Sequence, residues 1–567
     1  MKYSKRYIAF TVILALTFFM KFQIFGVDHA KIGEFRGGKL EAEVWNPLVA
    51  EDVNAKPIHA VIDNQNLGSG NNFYMNRDRN IMIPVSMLRS ALNCSAHVYD
   101  NKRLLVEKHS QSVTMDVGKK KAYLNGRETD IRSALTEKDG QLYVSLNDLS
   151  GLLGYHCSFD IAENTITASD TDTSALVPAS YDLREKGRVS KIYNQGSYGT
   201  CWAFAAISAL ESSLRPEEKV NFSVDHMSMS NSYNVNQYDG GEYTMGMAYL
   251  AAWQGPVYEK DDPYGDGQTD SSLTAVRHVQ EMQIIDGKDY EGIKEAVFKY
   301  GGVESSLYST ITSTQGNTRY YNQYTNSYCY IGTEKPNHDV VIVGWDDNYP
   351  RSNFNTELEG DGAFICQNSW GSEFGDNGYF YVSYYDTKIG THNVAYTRVD
   401  DVDNYDRIYQ SDLCGWVGKM GYDSESIYGA NVFKAKGKEK VCAASFYATG
   451  ANTEYVVYLV NDFKNEKSFA NMKKVADGVL AKAGYYTIDF DGEIPLEKGE
   501  KYAVVVRVKT PGSKHPMAIE YDTGETILDG VDLDDGEGYI SLNGKKFVNV
   551  KEKQDCNLCI KAFTRKE

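Results

Sequence analysis

The stretch Gln195-Gly-Ser-Tyr-Gly-Thr-Cys201-Trp-Ala-Phe204 constrains this chain more than any other. After Cys201 come Trp-Ala-Phe-Ala-Ala-Ile-Ser-Ala-Leu-Glu, good helix formers with no breaker. They predict a helix that begins at the cysteine. Ahead of it, Gly196 and Gly199 permit a tight turn and a close backbone approach. A cysteine in the first turn of a helix meets free N–H groups and the positive end of the helix dipole. Both favour the thiolate, and the thiolate is the nucleophile. Gln195 adds a side-chain amide donor just upstream.

A thiol nucleophile needs a base, and the base needs an orienting group. Two later stretches supply candidates. His338 heads the β-rich apolar run Asn337-His338-Asp-Val-Val-Ile-Val-Gly344, and Gln367-Asn368-Ser-Trp370-Gly371 follows a second apolar run, Gly362-Ala-Phe-Ile-Cys. Cysteine, then histidine, then asparagine, spaced by roughly 130–170 residues, is the papain-type arrangement. Over roughly 180–400 the chain resembles the papain-like cysteine peptidases. The resemblance runs through Tyr181-Asp-Leu-Arg-Glu-Lys-Gly187, the Cys201 block, Tyr238-Asp-Gly240-Gly241, Pro263-Tyr264, Asn337-His338, Asn368-Ser-Trp-Gly371 and Gly375-Asp-Asn-Gly-Tyr379.

That resemblance implies a two-lobed α+β domain with a helical lobe and a β-rich lobe. It implies Cys201 as nucleophile, His338 as its acid–base partner and Asn368 as the group that orients the imidazole. Gln195 and the Cys201 N–H would form the oxyanion hole, and Trp370 would cover the His338–Asn368 bond. Gly240 and Gly241 would pair edge-on with the substrate backbone. No cofactor or metal is implied. Where family members often carry a second cysteine in a disulfide, this chain has Tyr198. Its site must therefore be held by packing and hydrogen bonds. Residues 309–327 and 346–362 look like insertions placed to rim the cleft, and a loop filling one end would make an exopeptidase.

The rest of the chain reads in order. Residues 1–30 have a basic start and a nearly unbroken apolar run from Tyr7 to Met20, similar to a secretory signal peptide and short for a membrane span. A cleaved signal is favoured over an uncleaved anchor, the one route by which this chain would meet a membrane. From 56 to 168 there is an internal repeat, Ile83–Asp100 echoing Tyr143–Asp160. Each copy reads as a strand, a short helix and a strand. This α+β region resembles the domain first named from the N-terminus of copper amine oxidases. Its histidines 97, 109 and 156 lack ligand spacing, so no metal is expected. Residues 169–180 read as a linker, 181–400 as the peptidase domain and 405–567 as an antiparallel β-sandwich. The last resembles the lectin-like domains of clostridial surface peptidases, with a cell-wall or glycan ligand as one reading. Asp529-Gly-Val-Asp-Leu-Asp-Asp-Gly-Glu537 gathers oxygen ligands of the kind Ca²⁺ takes but lacks the full loop signature.

A net charge of −18 argues against a nucleic-acid partner. Nine cysteines are too few for a disulfide-built scaffold, and the odd number leaves at least one thiol unpaired in a monomer. The expectation is a secreted or cell-surface cysteine endopeptidase acting on protein or peptide substrates. The competing class is a surface adhesin or glycan-binding protein with a vestigial or gated peptidase domain.

Overall fold

The computed structural model describes residues 59–567 except 63–64, 70–72, 77–79, 89–91, 93, 100–101, 109–110, 125–126, 139, 154, 161–164, 171–177, 312–315 and 529–530. The signal-like segment 1–30 lies outside the described residues, as do Asp529 and Gly530 of the acidic loop. Among the described residues no helix is long and apolar enough to cross a membrane.

The helix Cys201–Leu214 is the axis of the first lobe. Every residue from Trp202 to Ser212 is buried. A helix that is apolar on all sides has to sit inside the fold. Its one carboxylate, Glu211, accepts at one oxygen from the Tyr193 hydroxyl at 2.7 Å and the Phe222 N–H at 2.8 Å, while its other oxygen lies 3.9 Å from the Arg215 guanidinium.

The second lobe is built on the strand His338–Asp346, apolar and buried along nearly its whole length. It pairs antiparallel with Val303–Leu307 on one side and Ala363–Gln367 on the other. The sheet does not end with this lobe. Asn393–Asp400 pairs with His278–Ile285, which in turn pairs with Ala483–Leu496 through Glu281↔Tyr486 to Ile284↔Ala483. The result is one thirteen-stranded sheet that runs on into the C-terminal region. The main apolar core crosses with it, taking in Tyr447, Tyr485, Ala518 and Cys559 beside Trp202, Met282 and Val341.

The C-terminal region is an antiparallel sandwich. Ser426–Lys434, Thr453–Val460, Lys473–Leu480 and Lys501–Lys509 lie in a six-stranded sheet facing the far end of the large one. Val504, Val506 and Val508 share a buried cluster with Val441, Ala444 and Phe446 of Glu439–Ala448. The N-terminal region keeps its own closed core. Its two repeats meet where Ile81–Pro84 pairs antiparallel with Gln141–Ser145, and a helical turn follows each strand. Cys94, Cys201, Cys329, Cys366, Cys414, Cys442, Cys556 and Cys559 are free, and all of these but Cys201 are buried. Among the described residues no three metal-competent side chains are gathered, and Asp534 of the acidic loop instead pairs with Lys551 at 2.6 Å.

Candidate active site

Cys201 opens its helix, with Thr200 as the capping position. The loop before it is pinned from three sides. The Gln195 N–H donates to the Ser369 carbonyl at 2.8 Å, and the Gly199 N–H donates to the Gln237 carbonyl at 2.7 Å. The Tyr264 hydroxyl bonds both the Gln195 carbonyl at 3.0 Å and the Thr200 hydroxyl at 2.7 Å. Tyr198 packs against the rings of Tyr238 and Tyr264, centroids 4.9 and 6.0 Å away. An aromatic cluster thus stands where a disulfide was absent from the sequence.

The histidine and asparagine are brought together by a hairpin. Val341 lies opposite Gln367, so Asn368, one residue past its strand, falls beside His338 at the start of the other. The Asn368 Oδ1 lies 2.8 Å from His338 Nε2. A carboxamide oxygen only accepts, so Nε2 carries the proton and Nδ1 is the basic nitrogen. The Trp370 ring stacks on the imidazole at 4.7 Å and 27°, backed edge-on by Phe374. The backbone N–H of Asp339 reaches the Cys201 sulfur, which sets the cysteine helix against the head of the histidine strand.

Gln195 is held by Ser369, whose hydroxyl donates to its Oε1 at 2.7 Å. Its Nε2 donates to the Tyr198 carbonyl at 2.8 Å. An amide nitrogen has two hydrogens, so one remains for a substrate oxygen. Gly240 and Gly241 lie flat against the other side of the loop. A Cβ on Gly241 would stand 2.4 Å from the Trp202 indole nitrogen, and one on Gly199 would stand 2.8 Å from the Gly240 nitrogen. No side chain fits at either contact, which leaves bare backbone along the cleft.

The electrostatics are set by burial. It pushes the Cys201 thiol up to about 12, helped by the Asp339 carboxylate and opposed by the Asp339, Trp202 and Cys201 N–H groups. It pushes His338 down to about 4, against the Asn368 bond. Burial thus disfavours charge on each group alone, while a thiolate and an imidazolium formed together would offset one another. Asp339 is itself raised to about 6 by burial, against a bond from Ser306. Behind it the fully buried Glu304 is held well up, by burial first and then by Asp339.

Cys201, His338, Asn368, Gln195, Trp370, Gly240 and Gly241 are thus brought together. Sequence reasoning missed Ser369, Asp339 and Glu304. Ser369 sat unremarked inside the Asn-Ser-Trp-Gly motif, and Glu304 lies in Val-Glu-Ser-Ser-Leu307, a mostly polar strand whose sequence gives no sign that it is buried. It also misplaced one insertion. Residues 346–362 follow the end of the strand opposite to His338, roughly 25 Å away along the strand. Tyr349, Phe354 and Leu358 pack with Cys329 and Ala363 at the sheet's outer side. This loop does not rim the cleft. The segment after Leu307 does reach it, since Ser309 N–H donates to the Asn337 side chain at 2.7 Å. His226 bonds the Tyr249 hydroxyl through Nδ1 at 2.7 Å.

A helix-initial cysteine facing a histidine–asparagine pair across two lobes defines a papain-type thiol peptidase fold. Comparison with known proteins gives the same class. Residues 177–399 match the model of the papain family cysteine protease. Residues 61–168 match the copper amine oxidase N-terminal domain and residues 408–564 the lectin-like domain. Cathepsin S of Bos taurus is 30% identical over 221 residues, 37% of this chain. The chain spans 61% of the length of that curated relative. Among solved structures, the clostridial cysteine protease Cwp84 after propeptide cleavage is 28% identical with a TM-score of 0.61, covering 68% of this chain and 99% of that one. The cysteine protease and lectin-like domains of Cwp84, described as a surface layer associated protein of Clostridium difficile, match with the same identity and TM-score over 69% of this chain and 89% of that one.

Proposed function

We propose that this protein is a secreted or surface-held cysteine endopeptidase that hydrolyses peptide bonds through Cys201, His338 and Asn368. The observation that carries the reading is the 2.8 Å bond between Asn368 Oδ1 and His338 Nε2 beneath Trp370. It leaves Nδ1 as the nitrogen that can serve as base for Cys201. His338 takes the thiol proton as Cys201 attacks the carbonyl carbon, then returns it to the leaving amine. The charges that each group refuses alone form together, as an ion pair, when substrate closes the cleft. The spare hydrogen of Gln195 Nε2 and the Cys201 N–H receive the oxyanion. Gly240 and Gly241 offer backbone to the substrate chain. The lectin-like domain takes a cell-wall or glycan ligand and holds the enzyme near its substrates.

The test is mass spectrometry after incubation with an epoxide inhibitor of papain-type thiols. One adduct on Cys201 is expected in the wild type, none there in Cys201→Ala, and slower labelling in His338→Ala. Gln195→Ala is expected to lower kcat on a peptide substrate by about 100–1000-fold. Failure of both the full chain and residues 169–567 to label would overturn the peptidase reading.

A further inference from the structure

A pocket of about 360 Å³ lies between the peptidase and the lectin-like domain. Tyr243, Ile284 and His392 line it from one side, and Trp416, Lys419 and Tyr447 from the other. It is large enough for a bound group, and domain junctions are where such sites concentrate.

Its chemistry is uneven. Lys419 is half-buried. Its ammonium donates to the Thr449 carbonyl at 3.1 Å and sits over the Trp416 ring, 4.9 Å from the centroid. Among the described residues it makes no ion pair, and burial alone lowers its pKa. A half-buried cation without a counter-charge, framed by aromatic faces, suits an anion carried on a short apolar stem. Glu242, which precedes Tyr243, and the exposed Asp286 at the mouth are the acids on the approach, so the preference for an anion lies deep in the pocket, at Lys419.

The pocket also adjoins the cleft. Tyr243 stands two residues past Gly241, at most about 7 Å along the chain. The His392 ring packs on Tyr243 at 5.3 Å, and the His392 carbonyl accepts from Ser306 N–H at 3.2 Å. Ser306 bonds Asp339, whose N–H touches the Cys201 sulfur. The pocket wall is thus tied to Gly240–Gly241 through Tyr243 and to Cys201 through His392, Ser306 and Asp339.

We propose that the pocket is an extended subsite of the cleft, built jointly by the two domains, which takes an acidic side chain of the peptide substrate on the amino-terminal side of the cut. Lys419 pairs with the carboxylate, and Trp416, Tyr447 and Tyr243 cover its methylenes. The lectin-like domain then selects substrate directly as well as holding the enzyme in place. The inference rests on the peptidase reading above.

Peptides that differ only by Glu, Gln, Ala or Lys at the second, third or fourth position before the cut test it on the full chain. The wild type is expected to favour Glu over Gln in kcat/KM at one of these positions by about tenfold, the range of a charge-assisted pair. Lys419→Ala should bring that ratio to one and Lys419→Glu should favour Lys. Cys201 labelling by the epoxide checks that each variant is folded, and Lys419→Met, which keeps the apolar stem, replaces Lys419→Ala if labelling is lost. A Glu:Gln ratio of one in the wild type at all three positions, or a ratio that survives loss of the cation, overturns the proposal. If the wild type neither labels nor cleaves, the peptidase reading falls and this inference with it. If it labels and cleaves without the preference, only the inference falls.

Discussion

The two domains that flank the peptidase are attached in opposite ways. The lectin-like domain shares its sheet, through Glu281–Ile284 against Ala483–Tyr486, and its core. Polar groups cross the same seam: Thr487 Oγ1 donates to Gln280 Oε1 at 2.6 Å, Gln410 Nε2 to the Ala252 carbonyl at 2.9 Å, and Asn234 N–H to the Ile527 carbonyl at 2.9 Å. Trp253 stacks on His278 and packs against Phe563. The N-terminal domain has a core of its own and touches the rest at the surface of the lectin-like domain. There Arg132 donates to the Asn452 carbonyl at 3.1 Å and lies 3.9 Å from Glu454. One neighbour is part of the peptidase's interior; the other is docked on its partner. Domain count in the chain therefore says little about which parts fold together.

Truncation breaks the comparison most severely. Removing residues 405–567 takes Ala483–Leu496 away from His278–Ile285, which becomes an open edge, and exposes apolar core, so a chain ending at 404 is expected to be insoluble or unfolded. Removing residues 1–168 should leave a soluble protein that labels at Cys201. Soluble expression, circular dichroism and epoxide labelling of the two pieces decide it. Equal behaviour of the two would refute the asymmetry. Within the seam, Gly484 has a φ of +149°, and a Cβ there would stand 2.1 Å from the Met282 carbonyl oxygen. Gly484→Val is expected to cost on the order of 3–4 kcal/mol, read as a fall in the denaturant midpoint.

This asymmetry is where sequence reading ran out. Cys201, His338, Asn368 and Gln195 were legible because each lies in a motif whose local structure points it. The hairpin that joins His338 to Asn368 also follows from two apolar runs with a loop between. The shared seam was not legible. A strand such as His278–Ile285 has the same alternation whether its neighbour is near or, as here, some two hundred residues away. A change of pattern near residue 405 marks a new arrangement of turns, while the sheet and the core cross it. The buried acids were hidden for a related reason. Glu304 and Asp339 are polar residues beside apolar runs, and only the packing of Val303–Leu307 against His338–Asp346 puts both beneath the cysteine.

The seam also carries a pH dependence. Glu520 accepts from the Cys414 N–H at 2.6 Å and from Asn557 Nδ2 at 2.8 Å, while the Tyr233 hydroxyl of the first lobe donates to the Cys414 carbonyl. Burial, and then the Asp412 carboxylate, push Glu520 up to about 7, against Asn557, the Cys414 N–H and Lys561. A carboxyl that holds its proton more tightly when folded stabilises the fold fully below its unfolded value and loses that contribution as pH rises through the folded one. From pH 4.5 to 7 this group should cost the wild type on the order of 3 kcal/mol of the stability it has in acid. Glu520→Gln, which cannot ionise, should flatten that part of the curve. Parallel stability–pH curves for the two proteins would remove Glu520 from the account.

The smallest effect is expected at the N-terminal contact. Arg132 and Glu454 are each partly exposed at 3.9 Å, and Lys509 competes for the same carboxylate at 3.3 Å. Such pairs contribute about 0–1 kcal/mol and weaken with salt. Arg132→Ala should therefore leave the main unfolding transition within about half a kcal/mol of wild type. What it should change is the freedom of the N-terminal domain, read as faster protease cleavage in the 169–180 linker, with Cys201 labelling unaffected. A large loss of global stability would mean that the docked domain is as integral as the one sharing the sheet. The difference between the flanks would then be one of topology alone and not of energy.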